Sequence, residues 1–257
     1  MGEPNGKSLP LADPLAESRR LVAVAAEAGL MLRLLGSVAV YLQAPDTGPL
    51  LSRPIGDIDI VTRRDAKRAV VAVLTQAGYS PDEMFNALHG ARRLLFYDAI
   101  NHRKLDAFIG EFSMCHAIPI ADRLEKDALT VPLAELMLTK LQIVELTERD
   151  QRDIYNLVFH HPLSDGGGAG IEAGYIAELC AKDWGLWRTS KRTIDKCVDN
   201  VLSYGLPAEA QVLVEGRLRE LWNRIDAAPK SARWKVRSRV GDRMRWYAEP
   251  EENAPEG

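Results

Sequence analysis

Apolar positions recurring every three or four residues predict a helix over "PLAESRRLVAVAAEA", Pro14 to Ala28, with Gly29 as its stop. A second, shorter helix is predicted over "SVAVYLQ", Ser37 to Gln43, directly after Gly36. Prolines and glycines break up "APDTGPLLSRPIG", which reads as a loop. The period then drops to two: "DIDIVT", Asp57 to Thr62, alternates and is rich in isoleucine, the pattern of a strand. Helical spacing returns over "RDAKRAVVAVLTQAGY", ending at Gly78. "RRLLFYDAI" and "KLDAFIG", joined by "NHR", predict an antiparallel pair, and "SMCHAIPIA" a further short strand. Thr130 and Pro132 mark the start of a helix predicted to continue to about Thr147, and "RDQRDIYNLVFHH" starts another. "PLSDGGGAG", Pro162 to Gly170, has the composition of a flexible linker, and three or four helical segments bearing tryptophans lie beyond it. The predicted fold class is α/β (α+β). A small mixed β-sheet core flanked by helices would span 14–161 and an all-helical region 171–247, with flexible ends over 1–13 and 248–257.

Composition narrows this picture only slightly. A chain of 257 residues, 46% apolar and 27% charged, can bury a sizeable core. The formal net charge of -3 excludes a uniformly basic surface, so any nucleic-acid contact must be local. No apolar run approaches the roughly 20 residues that span a bilayer, and "MGEPNGKSLPLADPL" lacks the apolar core of an export signal. Cys115, Cys180 and Cys197 are far apart, without metal-ligand spacing. A cytoplasmic protein with reduced thiols and no membrane partner is the expectation.

The chemistry begins with "RPIGDIDIV". Residues two apart in a strand share a face, with Cα atoms about 6.5–7 Å apart. Asp57 and Asp59 would therefore point one way while Ile58 and Ile60 point to the core. Two carboxylates so placed repel each other unless a cation lies between them. A solvated strand edge and a Mg²⁺ site both satisfy that condition, and Mg²⁺ prefers such oxygen ligands together with substrate phosphates. Asp106, alone in the apolar run "KLDAFI", could join the same face if its strand neighbours "DIDI"; a salt bridge to Arg103 or Lys104 is the plainer alternative. Three carboxylates suit a two-metal phosphoryl-transfer site.

Upstream, Gly36 permits a tight turn and Ser37 can cap the helix that follows, whose N-terminus is an anion site. Lys140 falls among Leu133, Leu136, Met137 and Val144 on the apolar stripe of its predicted helix, so it must either snorkel or meet an anion. Asp153, at the start of the next helix, is placed to orient Lys140 or a catalytic group, or to serve as a helix-terminus acid.

Gly36-Ser37, then Asp57-Ile58-Asp59-Ile60, then Leu105-Asp106-Ala107 follow the motif hG[G/S], Dh[D/E]h, h[D/E]h, where h is apolar. In this the chain resembles the nucleotidyltransferase superfamily with the DNA polymerase β-like fold. "RPIGDIDI" with "LAELMLTKLQIVELTERDQRDIYNL" looks more narrowly like the AbiEii/MenT-type branch of toxin–antitoxin nucleotidyltransferases. Arg53, Lys140 and Arg152-Asp153 occupy that branch's arginine, lysine-helix and "RD-x-x-D/N-L" positions, over a match from Leu34 to Leu157. Ile55 departs from its usual small polar residue, and Asn156 stands where an aspartate is common.

The resemblance implies a Mg²⁺- (or Mn²⁺-) dependent transfer of a nucleoside monophosphate from an NTP such as ATP to an acceptor hydroxyl. Asp57, Asp59 and Asp106 would hold metal, and Asp106 would also help deprotonate the acceptor. Gly36, Ser37, Arg53 and Lys140 would bind the nucleotide, with Asp153 supporting. The acceptor would be tRNA or a protein, with a cognate antitoxin as partner. The alternatives are a small molecule such as an aminoglycoside as acceptor, and a catalytically silent nucleotide- or partner-binding member. In the helical region, "KSARWKVRSRVGDRMRWY" interleaves Lys230, Arg233, Lys235, Arg237, Arg239, Arg243 and Arg245 with Trp234, Trp246 and Tyr247. That pattern suits RNA contact, or a cationic helix that packs its tryptophans inward. Trp184 and Trp187 are expected in the core.

Overall fold

The computed structural model describes residues 8–44, 51–166 and 169–250. Its centre is a five-stranded mixed sheet in the order β1-β2-β5-β4-β3, formed by β1 (Leu32–Leu35), β2 (Ile58–Thr62), β3 (Ser80–Pro81), β4 (Arg93–Asp98) and β5 (Arg103–Ile109). β2 and β5 run parallel in the middle, and the other neighbours are antiparallel. Ile58, Ile60, Leu105 and Ala107 are fully buried, which makes this pair the spine of the core. The mixed α+β class and the β4–β5 pairing are as expected, and "KLDAFI" does neighbour "DIDI", the condition set for Asp106 to share the face of Asp59.

Helix α1 (Pro14–Glu27) leads into β1, and α2 (Gly36–Gln43), α3 (Lys67–Gln76) and α4 (Glu83–His89) lie between successive strands. Asp13 caps α1, its side chain accepting from the Ala16 amide. β1 and α4 lie in stretches that the hydrophobic pattern left unassigned. β6 (Phe112–Ser113) and β7 (Ala117–Ile118) form a separate hairpin.

The helix predicted to continue to about Thr147 ends earlier, and the helix predicted from "RDQRDIYNLVFHH" is separate from it, as expected. α5 (Leu133–Leu141) stops at Gln142, and α6 (Glu148–His160) begins afresh. The reason is a capping box. Thr147 accepts from the Asp150 amide while the Asp150 side chain accepts from the Thr147 amide, so two first-turn donors of a new helix are satisfied. Val144 therefore lies outside the helix whose stripe it was predicted to share. Residues 134–141 of α5 are all buried, so that helix has no polar face.

Helices α7 (Ala173–Lys182), α8 (Trp184–Asn200), α9 (Ala208–Ala227) and α10 (Ala232–Val240) follow the glycine-rich segment. That segment is anchored at both ends, where β8 (Leu163–Ser164) pairs in parallel with β9 (Ile171–Glu172). One apolar cluster runs from Leu21 to Ile225, so the sheet and the C-terminal helices share a core. Tyr155 Oη donates to the Cys197 carbonyl at 2.7 Å, and Arg217 Nη1 donates to the carbonyls of Val158 and Phe159.

Parts of the ends expected to be flexible, 1–13 and 248–257, make defined hydrogen bonds where they are described. The Leu11 amide donates to Glu17 Oε2, its carbonyl accepts from Arg103 Nη2, and Arg20 Nη1 reaches Ser8 Oγ. These bonds satisfy buried charge, which is why residues 8–13 lie against the body. Ala248 donates to the Cys115 carbonyl. Residues 1–7, 45–50, 167–168 and 251–257 of the predicted loose ends, loop and linker lie outside the described residues. No helix among the described residues is long and apolar enough to cross a membrane, and all three cysteines are buried and unbridged.

Candidate nucleotide-binding site

Asp59 lies on β2 directly opposite Asp106 on β5, and opposite Leu35 at the end of β1 on its other side. Registered neighbours in a sheet share a face about 4.8 Å apart, so the two carboxyl groups lie side by side. Asp57 falls just ahead of β2 rather than within it, and is exposed. Asp57 is near enough for its charge to act on Asp59. Burial first, and the Asp106 charge next, push the Asp59 carboxyl up to about 7; Asp57 adds to this, while Lys140 and Arg93 oppose it.

Gly36 is the cradle. It begins α2 with φ +67°, and a Cβ there would land on the Asp59 carboxylate. Only glycine fits both the left-handed backbone and the close approach. The predicted cap is corrected: Leu35, not Ser37, holds the cap position, and no side chain caps the helix. Ser37 sits buried in the first turn. The N-cap residue of α2 thus offers its first-turn N–H groups no side-chain acceptor, a condition that favours an anion at a helix N-terminus.

Asp106 is held by a residue that the pattern did not single out. Arg93 Nε on β4 donates to Asp106 Oδ1 at 2.8 Å, both groups being largely buried. The alternative partners considered from the sequence are engaged elsewhere or not bonded to it: Arg103 pairs with Asp98 at 2.7 Å. Arg93 also lies near the rings of Phe85 and Phe108. The only sequence signal was an arginine heading an otherwise apolar strand.

Lys140 does not snorkel. Its ammonium is buried and bonded to Asp153 Oδ2 at 2.8 Å, with Asp150 Oδ1 at 3.4 Å. Asp153 is fully buried and also accepts from Arg53, Nε to Oδ1 at 3.0 Å and Nη2 to Oδ2 at 2.6 Å. Burial works to raise the Asp153 carboxyl, but Lys140 and Arg53 more than offset it and hold it below the usual range. Burial likewise works against the Lys140 charge, and Asp153 and Asp150 hold it above its ordinary value. The two acids around the two bases nearly balance. Arg53 is fixed through its backbone as well, its carbonyl accepting from Tyr41 Oη. Asn156, the departure from the branch pattern, is buried and donates to the Leu51 carbonyl at 3.2 Å, tying α6 to the segment that carries Arg53. Arg152 points away, paired with Glu148.

Gly36, Ser37, Asp57, Asp59, Asp106 and Lys140 are thus brought to one region, with Arg53 and Asp153 bracing Lys140. The donor set is hard oxygen. Among the described residues no group of three or more His, Cys, Asp or Glu side chains is arranged to hold a metal ion. The Asp59 carboxyl is raised first by burial and then by the Asp106 charge beside it, and a divalent cation between the two oxygen donors would offset that repulsion. No protein-family model matches the chain, and no curated protein matches it in sequence.

Proposed function

We propose that this chain is a Mg²⁺-dependent, cytoplasmic nucleotidyltransferase that moves a nucleoside monophosphate from an NTP to an acceptor hydroxyl. The observation that carries this reading is Asp59 registered beside Asp106 with its carboxylate on Gly36, at the uncapped start of α2. Asp57, Asp59 and Asp106 would hold the metal, which when bound supplies charge neutralisation to the triphosphate. The α2 N–H groups and Ser37 receive phosphate oxygens. Asp106, oriented by Arg93, takes the proton of the acceptor hydroxyl. The acceptor oxygen bonds to the α-phosphorus as the bond to the β-phosphate breaks, and pyrophosphate leaves. Lys140, aimed by Asp153, offsets the negative charge that develops on it. Positioning and fixed charge do most of the work in such transfers.

Incubation with Mg²⁺ and α-labelled NTPs, offering total tRNA, protein and an aminoglycoside in parallel arms, tests the reading and separates the acceptors. The expected outcome is label in one arm, reduced at least a hundredfold by Asp59→Ala or Asp106→Ala. Absence of label in every arm, together with calorimetric NTP binding that Asp57→Ala and Asp59→Ala leave unchanged, would sink it.

A further inference from the structure

A cavity of about 640 Å³ opens between the β6–β7 hairpin, the junction of α7 with α8, and residues 233–248; it shares no residue with the carboxylate centre. That volume lies within the range of roughly 300–1,000 Å³ typical of small-ligand sites. Its aromatic wall is rigid. Trp184 meets Trp246 edge to face with ring centres 6.0 Å apart, and Trp246 meets Tyr247 at 5.5 Å. Trp234 on α10 packs edge to face on Trp187 of α8 at 5.3 Å. Trp246 Nε1 donates to Thr189 Oγ1 at 3.0 Å, and that oxygen also lies 2.9 Å from His116 Nε2. Gly185 lets the chain pass this closely, since a Cβ there would stand 2.5 Å from the Trp246 carbonyl oxygen.

The charges around this wall are not balanced. Lys182 is paired with Glu178, and Arg245 with Glu249. The one lining carboxylate, Asp183, accepts from the Gly185 and Leu186 amides at the start of α8. Arg237 lies 4.5 Å from the Trp184 ring centre and donates to the carbonyls of Gly241 and Met244, bonds that fix it without neutralising it. Asp242, on the same loop, is ion-paired with Arg188, and its charge also acts on Arg237 without bonding it. Arg233 lines the cavity exposed, with no ion-pair or hydrogen-bond partner among the described residues.

Two arginines with no direct ion pair among the described residues, beside an aromatic wall, match a ligand that is planar and apolar on its faces and anionic at its edge. We propose that this cavity binds a nucleotide unit, its base against the aromatic wall and its phosphate on Arg233 and Arg237, whether as a free nucleotide or within a single strand. A carboxylate-rich peptide would answer the charge but not the aromatic wall, and a duplex hides its base faces. The proposal is independent of the transfer chemistry assigned to Asp59.

The test is fluorescence anisotropy of the full chain with a labelled 12-nucleotide single-stranded RNA, with AMP and CMP, the matching duplex, and polyglutamate of equal charge as competitors. Asp59→Ala is assayed alongside. Either the strand or the free nucleotide should bind, equally in Asp59→Ala, and the competition arms show which source is preferred. Arg233→Glu and Tyr247→Ala should each weaken binding on the order of tenfold, and Arg233→Glu should flatten the salt dependence while Arg233→Lys restores it. Thermal melts confirm that these surface variants fold. Loss of binding in Asp59→Ala would move the site to the carboxylate centre. Equal displacement by polyglutamate, indifference to both Arg233→Glu and Tyr247→Ala, or no binding of strand and nucleotides would each overturn the proposal.

Discussion

Gly36 and Asp59 show how much rests on single atoms. Gly36→Ala adds a methyl at φ +67°, a conformation alanine disfavours, and drives it into the Asp59 carboxylate. The expected outcome is a loss of more than about 1 kcal/mol of stability by denaturant titration, with NTP binding by calorimetry lost as well. Asp59 and Glu135 also set a pH dependence. Glu135, fully buried on α5, is pushed up to about 7 by burial, only partly opposed by Arg123. For both acids the folded state binds a proton more tightly than the unfolded one. Their contribution is therefore fully present below the unfolded values near 4 and is lost as pH rises through about 7. Melting temperature should fall between pH 5 and pH 8, and Asp59→Asn should flatten that decline; a melt series that is unchanged in Asp59→Asn would contradict the assignment. The aspartates were legible in the sequence because acids in an apolar strand are conspicuous. Arg93 was not, because only the β4–β5 register brings it to Asp106.

Elements were legible where local period and punctuation agree. The β4–β5 hairpin and α1, with Asp13 before Pro14, are such cases. The start of α6 was legible, but the end of α5 at Leu141 was missed because apolar residues continue beyond it, up to the capping box of Thr147 and Asp150. The break matters to the site, since it turns α6 so that Asp150 and Asp153 both reach Lys140. Thr147→Ala should cost about 1 kcal/mol in denaturant midpoint analysis through loss of the cap. It should also weaken NTP binding, because Thr147 Oγ1 holds the Asp150 carboxylate at 2.7 Å. The opposite limit is β1, whose four residues are too few for a periodic signal and are strand only because β2 pairs with them.

At the scale of the whole molecule, the glycine-rich segment suggested two independent parts. The shared core and the bonds from Tyr155 and Arg217 make the C-terminal helices a support for α6, which carries Asp153. Calorimetry should accordingly show a single unfolding transition rather than two, and Tyr155→Phe should lower its midpoint by an amount equivalent to about 1 kcal/mol. Two separable transitions would restore the independent-domain view.

Residue type, spacing and period act over a few positions, and by themselves they determined the mixed α+β class, most helices and strands, and which acids and which lysine stood out. Meetings across long separations belonged to the tertiary structure. Arg53 and Asp153 lie 100 positions apart and pair only because α2 and α6 pack together. Parallel register set Asp59 beside Asp106, and the antiparallel β1–β2 register brought the backbone of Gly36 against Asp59. The tryptophans were visible as a cluster of letters, but only the packing of α8, α10 and the segment after it gave them a cavity to line. Charge is desolvated and paired by neighbours in space, and sequence distance carries no information about those neighbours.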